Sequence, residues 1–535
     1  MRLTHLILAL LFTAMSVSVV FARDELEPPN IIVILVDDMG YSDIGCYGGE
    51  IQTPNLDRLA GNGIRFTQMH NTSKCFPSRA TLLTGLYAQD CGMARSYEKF
   101  TNAVTIAEVL KSVGYRTLAS GKHHSRESLF DRGFDRYFGL LDGATNHFNP
   151  GLAREGEAKP AQKKYGRRLW AIDDAVITGY TPPESDFYST DAYANYALDY
   201  LEAYKEEANP FFLYLSFTAP HDPLQAWWDD VEKYRETYQV GYEAIRSARI
   251  AKMKALGLLD SQVAEPTHES WDALDPRTQS IEARKMAIYA AMIDRVDQKL
   301  GELIAKLEQL GELDDTLILF AADNGSSGEN AEKGVQRGNS VLDGFPLERI
   351  HTAEYWASLG KNWANVSNTP FSGNKTSSYQ GGICTPFIAH WPNGIAEPGT
   401  INKGFVGHFV DVMATVVDLT GADYPTEFKG ESVHPMAGVS FLPQLQGDLD
   451  SRRAQAIYWQ WGKGKALRHG KWKAVSSGAE WALFDMDADP NETQDVSLAY
   501  PEKLDAMVDA WGTWYAATAA GRQQHAKNSK SGQKN

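Results

Sequence analysis

Short, unbroken apolar runs, each ending abruptly in charged or amide residues, set the pattern of this chain. Asn30–Val36 (NIIVILV) is continuous and rich in β-branched residues, the signature of a strand buried on both faces, and it stops at Asp37-Asp38. Tyr115–Ala119 is a weaker strand that leads into Gly121-Lys122-His123-His124. Phe211–Phe217 (FFLYLSF) precedes Pro220-His221-Asp222-Pro223, and Thr316–Ala321 (TLILFA) precedes Asp323-Asn324-Gly325. Phe387–His390 continues the series. Between these runs, Asp191–Glu206 repeats Ala, Tyr and Leu at helical spacing, and Met286–Leu310 does so over several turns before closing at Gly311.

Strands alternating with helices predict an α/β fold: a large, mainly parallel, doubly wound sheet flanked by helices. Tyr137–Ser185 and Trp227–Asp275 are long and weakly periodic, so they are expected to be substrate-facing loops. After about Gly421 the pattern shifts to short strand-like pieces at Ala456–Gln460, Lys471–Val475 and Trp481–Met486, then a helix over Pro501–Thr518. This predicts a smaller C-terminal α+β domain containing an antiparallel sheet. The expected organisation is a signal peptide over 1–22, a catalytic domain over 23–420, the smaller domain over 421–522 and a polar, disordered tail over 523–535.

Composition narrows the function. A hydrophobic content of 43% and an aromatic content of 11% are those of a globular protein. The net charge of −16 argues against general nucleic-acid binding, while leaving room for a local anion pocket. Arg2, the apolar stretch Leu6–Phe21 and the small residue Ala22 read as an export signal, which predicts a periplasmic or secreted protein. No cysteine near the cleavage site offers a lipid attachment point and no later segment is long and apolar enough to span, so no membrane anchor is expected. Four cysteines, Cys46, Cys75, Cys91 and Cys384, are too few for a disulfide framework in a chain of 535 residues.

The chemistry lies where the strands stop. Ligands of open α/β sheets bind beyond the carboxyl ends of the strands, so four clusters distant in sequence should converge. Asp37, Asp38, Asp323 and Asn324 offer only oxygen, which suits a hard divalent cation, calcium more naturally than zinc. Arg79, Lys122, His124, His221 and Lys375 add the opposite charge. A cation beside several basic side chains describes a pocket for sulfate or phosphate. Cys75 opens an apolar helical run, with Ser73 as expected cap and Pro77 in the first turn, where backbone donors face an anion. Taken alone, a buried cysteine is more often a packing residue.

Cys75-Phe76-Pro77-Ser78-Arg79, followed by Ala-Thr-Leu-Leu-Thr-Gly, resembles the signature of the formylglycine-dependent sulfatases, of the arylsulfatase-type branch in the alkaline phosphatase superfamily. Asp37-Asp38-Met39-Gly40-Tyr41-Ser42-Asp43 resembles that family's first metal-binding turn, and Asp323-Asn324-Gly325 its second. Gly121-Lys122-His123-His124 resembles its G-K-x-H motif and Ala219-Pro220-His221-Asp222-Pro223 its A-P-H-x-P segment. Lys375, ahead of Tyr379-Gln380-Gly381-Gly382-Ile383, resembles the late lysine motif, and Leu467-Arg468-His469-Gly470-Lys471-Trp472-Lys473 the C-terminal domain. The departures are Gln380 where Glu is common, Cys384 where Arg, Ala or Ser is frequent, and Ala88-Gln89-Asp90-Cys91 where Pro-His-Gln often follows. The first two are expected to alter the pocket wall, the third substrate specificity.

The resemblance implies hydrolysis of a sulfate ester, on a sulfated small molecule or oligosaccharide, by a formylglycine that a separate maturation enzyme makes from Cys75. It also implies one Ca2+ held by Asp37, Asp38, Asp323, Asn324 and the modified side chain at 75. One hydroxyl of the hydrated aldehyde attacks sulfur; Lys122 and Lys375 neutralise sulfate oxygens; His221 is the acid for the departing alcohol; His124 deprotonates the second hydroxyl; Arg79 orients the diol. The alternative is a phosphonate or phosphodiester hydrolase of the same superfamily.

Overall fold

The computed structural model describes residues 28–163, 168–260, 263, 265–266, 268–330, 339–340 and 346–523. The segments 1–22 and 524–535, expected to be a signal peptide and most of a tail, lie outside them.

Among the described residues, eleven strands form one large mixed sheet. They are β1 (Asn30–Val36), β2 (Ile64–His70), β3 (Arg116–Gly121), β4 (Arg136–Leu140), β5 (Leu169–Ile172), β6 (Ala175–Thr178), β7 (Phe211–Ser216), β8 (Thr316–Ala322), β9 (Cys384–His390), β10 (Thr400–Asn402) and β11 (Gly407–His408). Their order is β10-β2-β9-β8-β1-β7-β3-β4-β5-β6, with β11 also on β2. The centre, β8-β1-β7-β3-β4, is parallel, whereas β9 runs antiparallel to both its neighbours and β5 and β6 close the other side antiparallel.

The unbroken apolar run of β1 is explained by its central place. Ile32, Ile34 and Val36 enter one core, and Ile31, Val33 and Leu35 enter another on the opposite face. The first core is covered by α1 (Pro54–Gly61), α3 (Ser189–Tyr204) and α5 (Pro276–Leu310), the second by α2 (Cys75–Thr84) and the helix Val410–Thr420. The sheet is therefore wrapped by helices on both faces, as expected. Helix α5 begins ten residues earlier than the periodicity predicts. Asp275 caps it by accepting from the N–H groups of Arg277 and Thr278, Pro276 takes the first position, and Gly311 ends it in the left-handed conformation.

Two expectations need correcting. Trp227–Asp275 is not one long loop, since it carries α4 (Gly241–Ala255), and Tyr137–Ser185 contains most of β4 together with β5 and β6. Ser73 does not cap α2: it sits at φ 67°, Lys74 is the N-cap, and no side chain caps the helix. Cys75 is the first residue of the helix, and Pro77 lies in its first turn.

The smaller antiparallel sheet is β12 (Ile457–Trp461), β13 (Gly464–His469), β14 (Trp472–Ser476) and β15 (Ala482–Asp485), covered by the helix Pro501–Ala517. It reaches the loop before α2: Trp459 Nε1 donates to Asn71 O at 2.7 Å. All four cysteines are buried and unbridged.

Candidate active site

Residues from the carboxyl ends of β1, β3, β7 and β8, the start of α2 and the loop before β9 meet at one buried centre. Lys122 Nζ bonds Asp37 Oδ2. Lys375 Nζ lies 2.7 and 2.8 Å from the two oxygens of Asp38. Arg79 donates from Nε to Asp323 Oδ2 at 2.8 Å, and its Nη2 lies 2.7 Å from the same oxygen as an ion pair. Its Nη1 donates to Lys122 O at 2.9 Å and to Ser216 Oγ. Asn324 Nδ2 donates to Asp38 Oδ1 at 2.6 Å. None of these six charged residues exposes more than 2% of its surface. Cations and carboxylates thus hold one another in place where neither alone tolerates burial.

The backbone that carries them is strained. Asp38, Ser73, His124 and Thr376 all have positive φ, between 62° and 75°. Thr376 N donates to Ser73 O at 2.7 Å, tying the Lys375 loop to the loop that enters α2. Gly121, just before Lys122, has φ +116°, and a Cβ there would lie 1.8 Å from Ser216 O, so only glycine lets β3 turn into the site.

The histidines are set apart by their surroundings. Burial pulls His221 down, yet Asp38, Asp37 and Asp222 outweigh burial and the opposing Lys375, and its pKa is pushed up to about 9. Its Nε2 lies 3.5 Å from Asp38 Oδ2, and its Nδ1 lies 2.8 Å from Asp222 Oδ1. His124 goes the other way: burial, then the charges of Lys122 and Arg79, hold it well below the ordinary imidazole range. It packs against the rings of Phe76 and Tyr97, with Nδ1 unpartnered, and a Cβ on Gly143 would press within 2.6 Å of its ring. At Cys75, burial raises the thiol pKa, but Lys122, Lys375 and Lys74 overcome that and lower it.

The centre fits a hard divalent cation. Asp37 Oδ1 and Asn324 Oδ1 are buried with no hydrogen-bond donor among the described residues. Ligand atoms of Asp37, Asp38 and His221 lie within 4.8 Å of one another. Burial and the charge of Asp37 push the Asp323 carboxyl up, while Lys122 holds Asp37 ionised against its own burial. Two carboxylates that oppose each other's ionisation beside idle oxygens make a cation hole.

The structure therefore brings together Asp37, Asp38, Cys75, Arg79, Lys122, His221, Asp323, Asn324 and Lys375, with His124 beside them against Phe76. Sequence reasoning missed three neighbours. Asp222 fixes the His221 ring, and His147 bonds His221 O at 3.1 Å and Ser189 Oγ at 2.8 Å. Trp461, from the smaller sheet, lies 5.1 Å ring to ring from Phe76. Of the three, only Asp222 had a signal, its place inside a singled-out motif. The departures are also relocated. Gln380 meets His70 and Lys473, at 3.2 and 3.3 Å, and Cys384 Sγ lies 3.5 Å from Thr67 O, so both belong to the scaffold. Gln89 donates to Gln460 O at 2.8 Å and Asp90 accepts from Ala519 N at 3.0 Å, so this stretch seats the smaller sheet and the chain beyond its covering helix.

Comparison with known proteins agrees with this geometry. The family model described as Sulfatase matches residues 29–422. An arylsulfatase of Klebsiella aerogenes is 36% identical over 469 residues, covering 80% of this chain and 94% of its own. An uncharacterised sulfatase of Schizosaccharomyces pombe is 30% identical over 545 residues, covering 92% and 94%. Among solved structures, Ps i-CgsB in complex with a neocarrahexaose superposes with a TM-score of 0.68 at 24% identity, covering 92% of this chain and 94% of that one. BT4656 in complex with its substrate D-glucosamine-2-N,6-O-disulfate gives 0.60 at 20% identity, covering 91% and 97%. With a family model over most of its length and a relative at 36% identity matched nearly end to end, this chain belongs to the sulfatase family and is a sulfuric ester hydrolase.

Proposed function

We propose that the chain hydrolyses sulfate esters of carbohydrates or aryl alcohols with a formylglycine derived from Cys75, beside a calcium ion held by Asp37, Asp38, Asp323, Asn324 and the modified side chain. One observation carries this reading. The first residue of α2 is buried among Lys122, Lys375 and Arg79, each paired to a carboxylate, and Asp37 Oδ1 and Asn324 Oδ1 have no donor. The cation, when bound, supplies Lewis-acid polarisation of an oxygen on residue 75.

The chain's own groups do the rest. Lys122 and Lys375 neutralise sulfate oxygens as charge shifts onto them, in a centre dry enough for that charge to matter. His221 is held above the ordinary imidazole range by Asp38, Asp37 and Asp222 and is turned by Asp222 so that Nε2 faces the site, which suits protonation of the departing alcohol. His124 is neutral and takes up the proton released at residue 75. Arg79 orients residue 75 and offsets local charge, and its guanidinium is held rigidly by Asp323, Ser216 and Lys122 O.

A sulfated sugar is favoured as natural substrate by the two structural neighbours, whose complexes hold a neocarrahexaose and a disulfated glucosamine. Residues 1–22 support export, and no helix among the described residues is long and apolar enough to cross a membrane. Parallel rates on the sulfate and phosphate esters of one alcohol test the reaction class. Faster sulfate release is expected; faster phosphate turnover assigns the phosphoester alternative instead. A panel of defined sulfated sugars then ranks the alcohol.

A further inference from the structure

A second cluster of cations lies away from the catalytic centre, at the seam between the edge of the large sheet and the smaller domain. There a cavity of about 90 Å³ is lined by Lys403, Arg452, Arg453, Arg468 and Lys471, with Asp487 as the single acid among its lining residues. Lys403 follows the edge strand β10, whereas Arg468 lies in β13. Arg468 and Lys471 belong to the C-terminal motif that the hydrolytic reading leaves without a task.

The two central arginines each keep buried N–H groups that meet no acceptor among the described residues. Arg468 is 3% exposed, donates from Nε to Gly470 O at 3.4 Å, and leaves Nη1 with no acceptor among the described residues. Arg453 uses Nη1 to hold both oxygens of Asp411 at 2.6 Å, which leaves buried Nε and Nη2 unmatched. The rim cations are committed to acids: Arg452 to exposed Asp487 at 3.4 Å, Lys471 to half-buried Asp485 at 2.6 Å, and Lys403 to exposed Asp260. Burial lowers Arg468 to about 10, against the pull of Asp487, Cys384 and Glu492. Buried guanidinium N–H groups without acceptors are costly, and their planar fork matches an oxyanion. The cavity exceeds the volume of a single water, about 30 Å³, by enough to admit a tetrahedral anion. Arg452, Lys471, Lys403 and Arg453 each meet a carboxylate, and Arg468 meets none among the described residues, so the cleft keeps a net positive charge in a chain of net charge −16.

We propose that this seam binds one tetrahedral oxyanion, a sulfate or phosphate group, between Arg453 and Arg468, and so clamps the smaller domain to the edge of the large sheet. The group is either free inorganic anion, including the product of the reaction, or an ester sulfate on a bound saccharide. A groove of about 980 Å³ shares Gln68, Lys403, Arg452 and Asp487 with the cavity, so a longer sulfated chain has a path to it.

The test is thermal unfolding of the full chain in rising sodium sulfate, against sodium chloride at matched ionic strength. Arg468→Met leaves the strand-end centre unchanged, so the difference between it and the wild type isolates the seam. The wild type is expected to show a saturable sulfate-specific rise of about 2–4 °C in Tm, and Arg468→Met to lose at least about half of it while still turning over an aryl sulfate. An undiminished rise in active Arg468→Met overturns the proposal. If that variant does not fold, the double variant Lys403→Ala/Lys471→Ala, which changes only exposed rim cations, must show weaker sulfate dependence, and unchanged dependence overturns it equally. A sulfated oligosaccharide at equal sulfate concentration separates the sources. A larger Arg468-dependent rise identifies an ester sulfate, and an equal or smaller one the free anion.

Discussion

Asp37 and Asp297 are both buried carboxylates on one scaffold, and their surroundings treat them oppositely. Asp297, on α5, accepts from Leu56 N at 2.8 Å, Asn55 N at 3.1 Å and Asn55 Nδ2 at 2.9 Å, and so serves the start of α1. Asp43 is similarly spent: Gly40 N, Tyr289 OH and Arg249 Nη1 all donate to it, at 2.8, 2.8 and 2.7 Å. At the strand ends, Asp37 keeps Oδ1 free of donors and confronts Asp323 across the same hole. Scaffold carboxylates exhaust their lone pairs on backbone and a fixed cation. The strand-end carboxylates retain some, at the expense of mutual repulsion. Cavity size teaches less. A space of about 600 Å³ sits by Asn30, Arg116 and Phe211 at the opposite ends of the strands, where Arg116 and Glu207 are partly exposed and already paired at 2.8 Å.

The comparison predicts that changes at the strand ends cost activity, and changes behind them cost stability. The largest effect is expected at Cys75. Cys75→Ala should lower turnover by about four orders of magnitude or more while Tm stays near that of the wild type. Mass analysis of the peptide Lys74–Arg79 from active protein should show the aldehyde or its hydrate. An active preparation carrying only intact thiol contradicts the assignment. Removal of divalent ions with a chelator should come next, with hydrolysis falling by at least about a hundredfold and returning on addition of calcium. Full activity after exhaustive chelation would show that the idle oxygens of Asp37 and Asn324 serve something else.

Behind the site, Arg249 is 1% exposed and joins Asp43 at 2.7 Å to Glu50 at 2.7 and 2.8 Å. Arg249→Met strands two carboxylates and should destabilise the chain by about 3–5 kcal/mol in denaturant melts. Activity per folded molecule should change by less than about twofold, since the arginine touches none of the catalytic side chains. Lost activity at unchanged stability would erase the distinction between the two kinds of carboxylate.

The same distinction decides what was legible in the sequence. The strand ends were readable because a strand buried on both faces must be apolar throughout, so a charged pair directly after it stands out. Helix α4 was not, because the residues it buries include Arg246 and Arg249 alongside Tyr242, Ile245 and Met253, and buried arginines break the apolar period. The first turns of α5 (PRTQSIEARK) carry few apolar positions, although their Asp-Pro start was a signal in plain view. Ser73 misled because Ser is a common cap, whereas here its left-handed backbone delivers Cys75 to the first helical position. His147 and Trp461 act through contacts with other segments, which no local pattern encodes.

The smallest effect tests the scaffold side directly, through pH. Burial raises the Asp297 carboxyl from 3.8 to about 6, although hydrogen bonds from Leu56 and Asn55 pull it down. Between about pH 4 and 6 the folded chain therefore holds more protons than the unfolded one. The carboxyl's contribution to stability falls as pH rises through that window, and its penalty is complete above it. Asp297→Asn removes the charge and the penalty, but it turns an amide N–H toward donors on Asn55, which costs stability at every pH. Only the first of these effects depends on pH. The variant's stability relative to wild type should be better at pH 7.5 than at pH 4.5 by about 1–3 kcal/mol in urea melts. A difference that does not vary with pH would mean that Asp297 is fully compensated by its hydrogen bonds. Scaffold and site carboxylates would then differ in every respect, since only those at the strand ends would carry a burial penalty.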